Sequence, residues 1–233
     1  MRPGAFVPSG ARACSPSAGV CLSGLVSTHY SVIARGVDVE TEVRKSRFLA
    51  RLRRVTTEDA ARAVIEETRR EHRTANHHCT AFVVGPTAAI ARSSDDGEPA
   101  GTAGVPMLEV LTRRPVSDVV AVVTRYFGGV KLGAGGLVRA YGEAVSHALD
   151  RAGTRTRQQM VRGAVTVDIT SVGRLENDLR TAGVLVSDVA YAADATVTVA
   201  LPVAEWPEFA DRVASLTAGA GRVSELDQTW LDT

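Results

Sequence analysis

The chain has 233 residues and is 45% hydrophobic, enough apolar material for a sizeable core in one large domain or two small ones. Its net charge of +1 hides an asymmetry: 22 basic and 15 acidic residues occur up to Arg157, and 5 and 11 after it, so the two parts carry about +7 and −6. Cys14, Cys21 and Cys79 are odd in number and show no C-x-x-C spacing, so neither a disulfide framework nor a zinc site is implied, and a reducing compartment is expected.

Residues 1–28 contain Pro3, Pro8 and Pro16 among many small residues, and their most apolar stretch, Ala18 to Val26, is broken by Cys21, Ser23 and Gly24. It is too short to span a membrane and a poor signal-peptide core, so a disordered extension is expected, or a start codon placed too far upstream. A first domain is expected over 29–153. Tyr30 to Ala34, Val37 to Val43 and Phe48 to Leu52 alternate as strands, and Thr56 and Thr57 followed by Glu58 and Asp59 start a helix that runs to about Arg70. His77 to Gly85 returns to strand character, the polar block Ser93 to Thr102 is irregular, and Val105 to Leu111 is a short helix. Val119 to Val123 is an unbroken β-branched run, as in a strand buried on both faces. From Gly136 to Leu149 the apolar residues recur at helical spacing.

Thr154 to Gln159 is polar and aperiodic, which suggests a linker over 154–160. Within 161–233 the patterns follow the order β-α-β-β-α-β: a strand Ala164 to Ile169, a helix face from Val172 to Ala182, and a strand from Val184. A strand Ala195 to Leu201, a helix Val203 to Leu216 and a strand Gly221 to Thr229 complete it. That order describes a ferredoxin-like domain, so the fold class expected for the whole chain is α+β.

Two places carry chemistry. Between the buried strand and the long helix lie Gly128, Gly129, Gly133, Gly135 and Gly136 with Lys131 among them, flanked by Arg125, Tyr126 and Arg139. Glycine lets another group approach the backbone, and a helix N-terminus presents free N–H donors with a partial positive charge, so this loop suits an anion. It matches neither a Walker A loop nor the dinucleotide fingerprint, and tight packing of helix on strand explains the glycines equally well. The second place is Ser94, Asp95, Asp96, Gly97 and Glu98 with Thr102, whose carboxylates could bind a hard metal, orient a water, grip a basic group or simply cap a turn, although the spacing does not fit an EF-hand. His77 and His78 open a strand, so they point to opposite faces and at most one can join a given site.

The blocks K-S-R-F at Lys45, A-N-H-H-C-T-A-F at Ala75, S-D-D-G-E-P-A-G-T-A-G at Ser94 and R-Y-F-G-G-V-K-L-G-A-G-G-L-V-R-A-Y at Arg125 resemble the YigZ/IMPACT family in its bacterial two-domain form. The resemblance implies a ribosomal-protein-like α/β domain with a left-handed βαβ crossover, then a domain similar to domain V of elongation factor G. Eukaryotic relatives regulate translation through a further N-terminal interaction domain, for which the segment before Tyr30 leaves no room, so that partner is not carried over. What is implied is a cytoplasmic, translation-associated protein, with RNA or the ribosome as partner, a protein partner as the alternative, no membrane, no metal and no cofactor.

Arg125, Lys131 and Arg139 would then meet phosphates, with Tyr126 or Phe127 available for stacking. The competing expectation is a small hydrolase or transferase for an anionic substrate, in which Asp96 or Glu98 shares proton transfer with His78.

Overall fold

Strand β6 (Val119–Tyr126) is buried along seven consecutive residues because helices cover both of its faces. The computed structural model describes residues 28–233, so the expected extension lies outside the described residues, apart from Thr28. In chain order the elements before β6 are β1 (His29–Ile33), β2 (Val37–Val43), β3 (Ser46–Arg54), α1 (Glu58–Glu71), β4 (His77–Val84), β5 (Ile90–Ser94) and α2 (Gly104–Arg113). After β6 come α3 (Ala134–Ala152), β7 (Thr154–Val167), α4 (Val172–Thr181), β8 (Leu185–Tyr191), β9 (Ala195–Pro202), α5 (Trp206–Leu216) and β10 (Arg222–Asp232).

The first sheet runs β2-β3-β6-β4-β5, with every neighbouring pair antiparallel. Consequently β3 and β4 are parallel, joined through α1 and separated by β6. The period-2 alternation of β6 sends Val119, Ala121 and Val123 into the core under α2 and α3, and Val120 and Val122 into the smaller core under α1. Helix α1 begins as expected, with the Thr57 hydroxyl accepting from the Ala60 amide at 3.1 Å and acids in the first turn.

The second sheet follows the order β10-β7-β9-β8, all antiparallel. With α4 and α5 packed on one face around Leu175, Leu179, Phe209 and Val213, this is the ferredoxin-like arrangement expected from the element order.

Three elements differ from the sequence expectations. The segment 154–160 is the first half of β7 rather than a linker. Its polar side chains hide the fact that its main chain is paired, to β1 from Thr154 to Gln158 (opposite Ile33 to His29) and to β10 from Arg157 onward. For the same reason β1 belongs to the second sheet, although Ile33 is buried in the first core. Strand β5 also extends into the polar block, because it needs only β4 as a partner.

The two halves are clamped at Asp118, which is 2% exposed. Its carboxylate accepts from the Gly85 amide (3.0 Å), the Tyr30 hydroxyl (2.6 Å) and Arg157 Nη1 (2.9 Å), and Arg54 pairs with Asp232 nearby.

Candidate functional site

The end of β6 distributes three consecutive side chains by the same alternation. Arg125 points under α3, Tyr126 points toward α1, and Phe127 emerges half-exposed beside Arg125. Tyr126 is engaged on the α1 side: its hydroxyl lies 3.0 Å from His72 Nδ1, and the Arg47 guanidinium sits 5.5 Å from its ring centroid. Arg125 is 6% exposed and Glu98 is 8% exposed. Arg125 Nη1 donates to Glu98 Oε1 at 2.6 Å, and the same oxygen accepts from the Tyr141 hydroxyl of α3 at 2.8 Å. The guanidinium lies between the rings of Phe48 (5.5 Å) and Phe127 (5.6 Å), while its Nε is buried without a hydrogen-bond partner. The Arg125–Glu98 pair balances its own charge and forms a rigid floor.

The glycines divide by role. Gly128 is a packing residue: its amide donates to Ser46 Oγ at 3.2 Å, and a Cβ there would overlap the Lys45 carbonyl. Gly133 has φ of 74° and ends the loop; a Cβ on Gly129, Gly133 or Gly135 would meet nothing within 4 Å. Helix α3 starts at Ala134 with no side chain capping its first turn, and Ala134 and Gly135 are exposed. The main chain at this helix start is therefore not sealed beneath apolar side chains. A cavity of about 360 Å³ opens here, lined by Asn76, His77, Glu98, Arg125, Phe127, Lys131 and Gly133 among others.

The polar block resolves into separate jobs. Asp95 accepts from the amides of Gly101 (2.8 Å), Ala103 (3.0 Å) and Gly104 (2.8 Å), which caps α2 from a distance in sequence. Burial opposes its ionisation, but those three donors outweigh burial and hold its carboxyl below the usual range. Asp96, in the left-handed region at φ 44°, accepts from the His78 amide (2.7 Å) and from Arg69 (2.9 Å). Thr102 donates to the Pro99 carbonyl at 2.6 Å, Ser94 Oγ accepts from the Asp96 amide at 3.4 Å, and Gly97 has φ of 86° against the His77 ring. Of these residues only Glu98 reaches the cavity.

The histidines separate as the alternation requires. His77 Nδ1 lies 2.9 Å from the Asp96 carbonyl, so Nδ1 carries a proton, and Nε2 lies 3.9 Å from Glu98 Oε1. His78 faces α1, 3.8 Å from Asp96, and burial lowers its pKa despite that carboxylate. Glu98 and His78 thus lie on opposite faces of the sheet, so of the two expected pairs Glu98–His78 is not assembled, whereas Asp96 and His78 stand 3.8 Å apart on the α1 face. Cys79 is buried under α3, which pushes its thiol up to about 12, far from a thiolate nucleophile. Among the described residues no cluster of histidine, cysteine and carboxylate groups is suited to a metal.

The cleft thus brings together His77, Glu98, Arg125, Lys131 and Gly133. Arg139 lies on the other side of the α3 start, and Tyr126, His78, Asp95 and Asp96 lie outside the cleft. Ser46, Asn76 and Tyr141 carry no chemical signal of their own in the sequence. Ser46 supports Gly128, and Asn76 Oδ1 accepts from the Phe127 amide at 2.8 Å. The K-S-R-F and A-N-H-H blocks contained both without revealing what they hold.

Residues 44–149 match the Impact N-terminal domain, and residues 165–220 match a domain of unknown function, DUF1949. The chain is 40% identical over 203 residues to the IMPACT family member YvyE of Bacillus subtilis, covering 87% of this chain and 94% of that protein. It is 36% identical over 197 residues to YigZ of Escherichia coli, covering 84% and 97%. A solved structure described as a hypothetical protein superposes with a TM-score of 0.58 at 36% identity, covering 86% of this chain and 98% of that one. The Protein IMPACT homolog of Saccharomyces cerevisiae shares 39% identity over 95 residues, 36% of its own length. With relatives this similar over nearly their whole length, the chain belongs to the IMPACT family.

Proposed function

We propose that this protein is a non-catalytic, cytoplasmic, translation-associated RNA binder that takes a phosphate in the cleft at the start of α3. One observation carries the reading: an uncapped helix start, open to solvent, faces a cavity that also holds Lys131, buried Arg125 and the half-exposed ring of Phe127. The helix start and Lys131 supply N–H donors and positive charge for a phosphate oxygen, and Phe127 supplies a face for one base. The excess positive charge of the first 157 residues suits the same partner. No helix of the described residues is long and apolar enough to cross a membrane.

Filter binding with single-stranded RNA and with ribosomes is the test. Affinity should fall with added salt, and Lys131→Ala should weaken binding and reduce the salt slope by about 0.7, the value for one contact to a single strand. Binding that ignores salt and survives Lys131→Ala would refute the proposal. A hydrolase or transferase reading would rest on His77 with Glu98 or on His78 with Asp96; turnover of phosphoesters that is lost in His77→Gln or His78→Gln would replace the binder reading.

A further inference from the structure

The turn joining β2 to β3 contains only Arg44 and Lys45, since Val43 pairs directly with Ser46. Both residues have positive φ, 47° and 65°. A two-residue hairpin of this kind favours Asn-Gly or Asp-Gly, and two long basic side chains are costly occupants. Gly128 rests directly on this turn, so the tip of the hairpin stands beside the glycine loop.

On its far side lies a second cavity of about 260 Å³, lined by Arg44, Arg139 and Leu132, with Glu143 as its carboxylate. Leu132 also lines the first cavity, so one side chain separates the two. Other arginines of the same strands are paired: Arg47 with Glu40, Arg51 with Asp38 and Glu71, Arg53 with Asp38. Arg44, Lys45, Lys131 and Arg139 are exposed and make no ion pair among the described residues. Four cations outside any ion pair thus flank one helix start, against the one carboxylate Glu143, and Arg125, whose buried Nε has no hydrogen-bond partner, lines the cleft beside them.

We infer that the RNA path crosses the glycine loop onto the Arg44–Lys45 turn, where Arg44, Lys45 and Arg139 form a second phosphate subsite. This rests on the cleft taking a first phosphate. The ligand is then an oligonucleotide spanning both subsites, not a mononucleotide, because each cavity holds its own cations. The strained turn keeps two basic side chains where a more stable turn would carry none.

Fluorescence anisotropy with a labelled dinucleotide and a labelled octanucleotide of uridine tests this. Two variants remove the charge: Arg44→Asn with Lys45→Gly, which suits the turn, and Arg44→Gln with Lys45→Gln, which keeps uncharged polar side chains on it. Both should lower the octanucleotide salt slope by about 0.7, the equivalent of one phosphate, and leave dinucleotide binding nearly unchanged. Lys131→Ala should weaken both ligands. Wild-type octanucleotide affinity and slope in both turn variants, with Lys131→Ala still impaired, would overturn the second subsite alone. No salt-dependent binding by the wild-type protein would overturn both sites, and displacement of the octanucleotide by polyglutamate at equal charge concentration would overturn the nucleic-acid assignment.

Discussion

Glu98→Gln isolates the charge that holds the floor of the cleft. The substitution preserves volume and still offers an amide oxygen to the Tyr141 hydroxyl, now 2.8 Å from Glu98. What it removes is the counter-charge 2.6 Å from Arg125, whose side chain is 7% exposed against 4% for Glu98. Removing one partner of a buried pair costs about 3–5 kcal/mol, because the other charge is left uncompensated. The retained hydrogen bond places Glu98→Gln at the lower end, about 3 kcal/mol. For a chain of this size that corresponds to a fall of about 6–12 °C in Tm.

Thermal melts followed by circular dichroism read this shift. Because both groups are shielded from solvent, the shift should persist at high salt, unlike any effect of the half-exposed Arg47–Glu40 pair. Glu98→Gln combined with Arg125→Met should recover most of the loss, since no lone charge remains and the Tyr141 hydroxyl keeps an acceptor. If Glu98→Gln melts within about 1 °C of wild type, the pair does not stabilise the cleft floor.

Gly128→Ala should destabilise by about 2 kcal/mol through the clash with the Lys45 carbonyl, whereas Gly135→Ala, with open space at its Cβ, should be neutral or stabilising by up to about 1 kcal/mol; urea denaturation separates the two. Burial keeps His78 neutral, so its folded pKa lies below the ordinary 6.5 and the unfolded chain binds the proton more readily. Its contribution to stability is complete above that ordinary value and is lost as pH falls through the folded pKa. The drop in Tm between neutral and mildly acidic buffer should therefore be smaller in His78→Gln. Asp118→Asn weakens the clamp between the two sheets. The Tyr30 phenol, pushed up to about 12 by burial first and by Asp118 second, should titrate at lower pH in that variant, as read by phenolate absorbance.

The hydrophobic patterns determined most of the architecture by themselves. The double-sided burial of Val119 to Val123, the capped start of α1 and the β-α-β-β-α-β order of the C-terminal sheet all follow from local periodicity, because one covered face or two leaves a distinct signature in a short window. Sequence also separated His77 from His78, since adjacent strand residues must face apart.

It did not show which of them meets Glu98, nor that Asp95 and Asp96 are consumed in capping a helix and tying a turn to β4. Those outcomes depend on which strand lies beside which, a long-range choice made by the cores of the whole sheet. The polar segment 154–160 is the same lesson in main-chain form. Its order comes from two neighbouring strands that supply hydrogen bonds, and backbone pairing leaves no trace in side-chain hydrophobicity.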